Sequence, residues 1–344
     1  MTGSPQKSMI QCDIDFEADG SQSHFLSVPI STNESAYGIL TIPITVIKNG
    51  KGPTISFTGG VHGDEYEGPI TLMKLASSLS ESEISGRVII IPSLNLPAVL
   101  SGNRCSPIDG LNLNRVFPGN AHGTVTETIA HYISSEIVPL SDVHVDLHSG
   151  GKTLEYIPSI FVPAWSSHEE KKTALGGALA FGTDLAITED DGFPDSGRFL
   201  SAPFTQAGKL AFTCELAGAG RVSPHVVTMA GHGVRNILKY FGVLDGEPCT
   251  PKMQSRADTR LVHVPDARCY VISPDDGLYE PFIDLGHEIA ANQVIGQVHY
   301  PQHHDKPPMQ VTSTVPGFLI CKRPPGKVVL GDNIAIVGRD IERQ

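Results

Sequence analysis

Between Thr54 and about Leu244, short apolar runs alternate with longer stretches in which apolar residues recur every three or four positions. The runs lie at 54–60 (TISFTGG), 87–94 (RVIIIPSL), 143–149 (VHVDLHS), 159–164 (SIFVPA) and 209–216 (KLAFTCEL), each of strand length. The helix-like stretches are 67–79, 124–140, 168–181 and 224–241. In the second of these Val125, Ile129, Ile133 and Ile137 recur every four residues, and Thr124 with Glu127 matches a capping box at its start. Apolar strands separated by helices predict an α/β fold, with a mostly parallel or mixed sheet flanked by helices on both faces.

The chain changes character on either side of this region. Residues 1 to about 22 read as polar and poorly ordered. Residues 23–50 read as strands, with Asn49-Gly50 as a tight-turn signal. Around 245–256, GEPCTPKMQSR reads as a linker. After it come short strand-like pieces broken by Gly, Pro and Asp, which predict a small all-β unit. The stretch GLYEPFIDLGHEIAANQVIGQV resembles half of a biotinyl/lipoyl-like barrel, but Gln310 follows Met309 where a modified lysine would stand. The expected division is therefore N-terminal strands over 1–50, an α/β catalytic domain over 51–245, and a smaller β-barrel or sandwich over 255–344 that caps the active site.

Charge narrows the choice of partner. Lys and Arg total 25 against 37 Asp and Glu, a formal net charge of −12, which argues against nucleic acid, whose phosphates need a basic face. No apolar run approaches the ~20 residues of a membrane helix, and the N-terminus has no apolar signal core, so the expected location is the cytoplasm. The six cysteines, Cys12, Cys105, Cys214, Cys249, Cys269 and Cys321, are scattered with no C-x-x-C pair and read as reduced thiols.

The strand at 54–60 breaks at Gly59-Gly60 and then presents His62 and Glu65, a spacing at which an imidazole and a carboxylate can ligate one zinc ion. A catalytic zinc needs a third protein ligand, and His148, closing VHVDLH at another strand end, fits. Asp146, two residues earlier on the same side of the strand, is placed to orient a neighbouring group. Glu215 ends the apolar strand 209–216; a carboxylate there needs a partner and is the candidate general base. The turn-rich stretch 103–119 carries Arg104, Asn114 and Arg115, donors able to clamp a carboxylate or a developing oxyanion.

HGDE at 62–65, Arg104, NLNR at 112–115, DLH at 146–148 and CEL at 214–216 follow one another in order. The chain thereby resembles the succinylglutamate desuccinylase/aspartoacylase family, deacylases related to zinc carboxypeptidases, over roughly residues 50–245. The resemblance implies a carboxypeptidase-like fold and one zinc per subunit, held by His62, Glu65 and His148. It makes Glu215 the base that later protonates the leaving amine, and has Arg104 polarise the scissile carbonyl. Asn114 and Arg115 would hold the substrate's free carboxylate; the two arginine roles could be exchanged. Within the family the chain looks most like the ectoine-degradation branch that deacetylates N-alpha-acetyl-L-2,4-diaminobutyrate. The expected partner is thus a small N-acyl amino acid, and the expected assembly a homo-oligomer, a dimer.

That substrate has one carboxylate and one ammonium. Between His148 and Glu215 the chain carries Glu155, Glu189, Asp190, Asp191 and Asp195, an acidic wall from which Asp191 and Asp195 are the candidates for the ammonium. Arg198 and Arg221 would instead suit a second substrate carboxylate, as in an aspartoacylase-type deacylase. A small carboxypeptidase and a non-catalytic zinc-binding protein are the other readings. His225 and His232, seven apart on a helix, read as packing or surface residues, and His299, His303 and His304 as a loop.

Overall fold

A computed structural model describes residues 7–189, 196–249 and 258–341. A long hairpin opens the chain, β1 (Gly20–Ile30) and β2 (Gly38–Asn49). The α/β region follows with β3 (Thr54–Gly59), α1 (Glu67–Ser78), β4 (Gly86–Ile91), α2 (Leu96–Ser101), α3 (Val125–Tyr132), α4 (Val138–Leu140) and β5 (Val143–His148). It continues through β6 (Glu155–Tyr156), β7 (Ser159–Phe161), α5 (His168–Phe181), β8 (Leu185–Glu189), α6 (Ser201–Gln206), β9 (Leu210–Glu215) and α7 (Pro224–Tyr240). The C-terminal strands are β10 (Arg260–Val264), β11 (Tyr270–Ile272), β12 (Gly277–Pro281), β13 (Glu288–Ile289), β14 (Gln293–His299), β15 (Met309–Ser313), β16 (Gly317–Lys322), β17 (Lys327–Val328) and β18 (Asn333–Asp340).

Among the described residues one sheet runs in the order β1-β2-β4-β3-β5-β9-β7-β8-β10-β18-β16-β13. Its centre, β4-β3-β5-β9, is parallel, whereas β2 and β7 pair antiparallel at the flanks, so the sheet is mixed. β15, β14, β12 and β17 form a second, smaller antiparallel sheet. β10 pairs in parallel with β8, so the C-terminal strands extend the catalytic sheet without a break in hydrogen bonding.

β3 and β5 are buried throughout and β9 in part, yet their side chains alternate in chemistry. Ile55 and Phe57 of β3, Val143, Val145 and Leu147 of β5, and Phe212 and Cys214 of β9 pack in one apolar cluster with residues of α1, α5 and α7. The opposite face of the same strands carries Ser56 and Thr58, then His144, Asp146 and His148, then Thr213 and Glu215, the period of two that a pleated strand imposes. A second cluster, joining Val46, Ile89 and Ile91 to Ile129, Ile133 and Ile137, lies under α3.

The capping box holds: Thr124 Oγ1 accepts from Glu127 N at 3.3 Å and Glu127 Oε2 accepts from Thr124 N at 2.8 Å. The predicted helix 124–140 is interrupted by a π turn over Ile133–Ile137. Pro139 has no N–H to bond the carbonyl four residues back, and a wider turn accommodates its ring. Residues 7–19 are not the loose tail their polarity suggested. Ile10 and Ile14 are buried in the second cluster, and Gln11 pairs with Ser27 of β1. No described helix is long and apolar enough to cross a membrane.

Two glycines fix the turn from β3 into α1. Gly60 has φ +65°, a left-handed conformation open to glycine at little cost. At Gly68 a Cβ would lie 2.3 Å from the carbonyl oxygen of Leu147, so only glycine lets α1 sit this close to β5. Gly68→Ala is expected to lower stability by about 1–3 kcal/mol through overpacking. It should also impair the site that β5 carries; paired melting and activity measurements check both.

Candidate active site

His62 and Glu65 sit in the loop between β3 and α1, and His148 ends β5 one strand away. The three are 2–3% exposed. Nδ1 of His62 lies 2.8 Å from Glu65 Oε1, and Nδ1 of His148 lies 2.8 Å from Glu65 Oε2. One ligand atom from each falls within 4.8 Å of the others, and this is the one such group of three or more among the described residues.

The protons of the two imidazoles can be assigned from their other partners. Nε2 of His62 is 3.1 Å from Asn112 Oδ1, an oxygen that also accepts the backbone N–H of Asn114 at 2.9 Å. Nε2 of His148 is 2.7 Å from Asp146 Oδ2. Each ring thus has an acceptor at both nitrogens, and a neutral imidazole, with one N–H, leaves one of its two contacts without a proton. With a cation at the Nδ1 atoms, the N–H of each ring falls on Nε2, toward Asn112 and Asp146. In that arrangement the two Nδ1 lone pairs and the Glu65 oxygens would share one cation. The donor set, two imidazoles and a carboxylate, suits zinc with a further position open.

Electrostatics agree with that reading. Burial alone would raise the Glu65 carboxyl, but the imidazoles of His62 and His148 hold it well below its ordinary range. Burial alone would lower His148, but Asp146 and Glu65 on either side raise it well above its ordinary value. His62 is lowered, chiefly by burial. Two carboxylates flank His148 and favour an extra proton there, a positive charge that a divalent ion at the same place would supply instead.

Glu215 is the register partner of His148 across the parallel β5–β9 pair. Burial, followed by repulsion from Glu65, pushes its carboxyl up to about 8, and its buried Oε2 has no hydrogen-bond partner among the described residues. Arg104 reaches the same place, its Nη1 3.3 Å from Glu65 Oε1, with the guanidinium partly open to solvent. Arg115 donates from Nη1 to the carbonyl of Asn114 at 2.7 Å, and its guanidinium lies 4.5 Å over the ring of Phe199. Asn114 Oδ1 accepts the backbone N–H of Leu200 at 2.7 Å, a contact that does not use the donor end of its amide. His62, Glu65, His148, Glu215, Arg104, Asn114 and Arg115 all line one cavity of about 1480 Å³.

The acidic wall forms only in part. Glu155 is not a cavity residue; it pairs with Arg221 and lies 3.5 Å from Lys322, tying β6 to β16. That pairing also engages Arg221, the suggested partner for a second substrate carboxylate. Glu189 does line the cavity and accepts from Tyr270 Oη at 2.8 Å. Asp190, Asp191 and Asp195 lie outside the described residues. His225 and His232 are exposed on α7, and all six cysteines are free thiols.

Some site residues gave little sequence signal. Asn112 lies within NLNR, but its contact with His62 joins positions 50 residues apart and leaves no local mark. Phe199 beneath Arg115 comes from a segment more than 80 positions away, and no local pattern marks it. Ser56, Thr58 and His144 were visible only as polar residues alternating in buried strands.

Residues 51–241 match the catalytic domain of succinylglutamate desuccinylase/aspartoacylase. The chain is 41% identical to the N-alpha-acetyl-L-2,4-diaminobutyric acid deacetylase of Halomonas elongata, covering 99% of this chain and 98% of that protein. Among solved structures it is similar to a succinylglutamate desuccinylase/aspartoacylase from Rhodobacter sphaeroides, with TM-score 0.92 and 37% identity over 98% of this chain and all of that one. It is also similar to the product-bound ectoine utilization protein EutE (DoeB) from Ruegeria pomeroyi, with TM-score 0.90 and 38% identity over 97% of this chain and all of that one.

Replacing Glu65 or His148 with Ala is expected to abolish stoichiometric metal binding. Elemental analysis of dialysed protein should give about one zinc per wild-type chain and much less in either variant.

Proposed function

Because the chain belongs to the succinylglutamate desuccinylase/aspartoacylase family, we propose that it is a zinc-dependent hydrolase that removes acetate from N-alpha-acetyl-L-2,4-diaminobutyrate. The observation that carries this reading is the cavity itself. Glu215, whose buried Oε2 has no hydrogen-bond partner among the described residues, shares it with the His62, Glu65 and His148 cluster and with two arginines. The extent of the similarity to the Halomonas elongata deacetylase supports the choice of substrate.

Zinc, when bound by His62, Glu65 and His148, supplies Lewis acidity and lowers the pKa of water toward ~7. Glu215 takes a proton from the attacking water and returns it to the leaving nitrogen, a transfer for which a carboxyl tuned toward neutral pH is suited. Arg104 donates to the amide oxygen as negative charge develops there. Arg115, braced by the Asn114 carbonyl and the Phe199 ring, clamps the α-carboxylate together with the Asn114 amide. Asp191 or Asp195 meets the substrate ammonium. The β strands from residue 255 onward act as a cap that admits small molecules, and the enzyme works as a cytoplasmic homodimer.

Glu215→Gln is expected to lower kcat on the order of 100- to 10,000-fold with zinc content unchanged; normal turnover in that variant would exclude the assigned base. A panel of acetylated amino acids and short peptides, assayed for free amine, should favour N-alpha-acetyl-L-2,4-diaminobutyrate over N-acetylaspartate and over any peptide. Preference for the dicarboxylate would point to an aspartoacylase-type enzyme instead.

A further inference from the structure

Behind His148 a row of buried polar side chains runs along the β3–β5 pair. Thr58 and Asp146 are register partners, as are Ser56 and His144. All four are 0–2% exposed. Thr58 Oγ1 lies 2.7 Å from Asp146 Oδ1 and 3.1 Å from His144 Nε2. His144 Nδ1 lies 2.8 Å from Ser56 Oγ, and Ser56 Oγ lies 2.8 Å from Ser141 Oγ, which is also 2.8 Å from the carbonyl oxygen of Ile137. The ring of His144 stacks on Phe204 of α6 at 4.1 Å and 12°.

Proton counting gives the row a direction. The carboxylate of Asp146 only accepts, so the Thr58 hydroxyl donates to it. Thr58 has no second proton, so the contact with His144 is an N–H donated from Nε2. Burial pushes His144 down to about 4, so its ring is neutral and Nδ1 accepts from the Ser56 hydroxyl. Every donor from Ser56 onward therefore points toward Asp146, whose other oxygen faces His148 Nε2.

We infer that His144 is a positioning residue for the metal centre. Through Thr58 it fixes Asp146 as an acceptor, and so fixes His148 in the tautomer that presents Nδ1 to the cation. The inference rests on the zinc reading above. Neither Ser56 nor His144 touches the cavity, so substrate contact is not involved. Aligned hydrogen bonds polarise one another, which lets a residue three contacts away act on the ligand.

The test measures zinc affinity by competition with a chelating fluorophore, alongside the melting temperature. Thr58→Val should weaken zinc binding about 10- to 100-fold, as for other groups that orient a ligating histidine. His144→Phe keeps the stack on Phe204 but removes the donor. It should weaken binding several-fold in the wild-type background and not at all when Thr58 is already Val, the non-additivity of a shared route. His144→Gln, whose amide can donate to Thr58, should recover most of the loss. If His144→Phe disturbs folding, Ser56→Ala should show the same pattern more weakly. Unchanged affinity in His144→Phe or Ser56→Ala with a lowered melting temperature, or equal effects in both Thr58 backgrounds, would overturn the inference. A wild-type protein that binds no zinc would instead defeat the reading on which it rests.

Discussion

A carboxylate withdrawn from water must find its positive charge inside the fold, and Glu65 finds it at a point where two distant parts of the chain meet. Its two oxygens each face an imidazole nitrogen, one from its own loop and one from the end of β5. Holding that geometry requires the loop after β3 to turn at Gly60 and α1 to lie against β5 at Gly68. With a cation at the Nδ1 atoms, it also requires the N–H of each imidazole to lie on the far side, toward Asn112 and Asp146. Failure of any one of these would leave a buried charge uncompensated, which is far more damaging than loss of an ordinary contact.

The same strands do two jobs because a strand has two faces. One face of β3, β5 and β9 supplies the apolar surface on which α1, α5 and α7 pack. The other carries the polar groups of β3 and β5, ending at His148, and, beyond Ala211, Thr213 and Glu215 of β9. Such a row survives in the interior because its members satisfy one another. Asp146 illustrates the balance: burial would raise its carboxyl, but His148 beside it and the Thr58 hydroxyl keep it below its ordinary range.

The helices and central strands were legible in the sequence because each is long enough to show its own period. His62 and Glu65 were legible for a similar reason, since their spacing is local and follows a glycine break. His148 and Glu215 could be placed at strand ends, but that they are register partners depends on β5 lying beside β9, which no short window contains. The same limit hid the role of residues 7–19, whose two buried isoleucines are too few to make a pattern. It also made Glu155 look like part of a substrate wall. Its partners, Arg221 and Lys322, are 66 and 167 positions away, and composition cannot reveal such a pairing.

The parallel pairing of β8 with β10 has a bearing on how this chain can be handled. It makes β10, β18, β16 and β13 a lateral continuation of the catalytic sheet, so excising the C-terminal quarter would do more than uncover a cleft. A fragment ending after α7 would carry β8 as a raw margin, with amide and carbonyl groups facing outward. Such margins recruit strands from other molecules. The two portions are better treated as one hydrogen-bonded fabric, whose seam at β8 guards against self-association as much as it shapes the cavity.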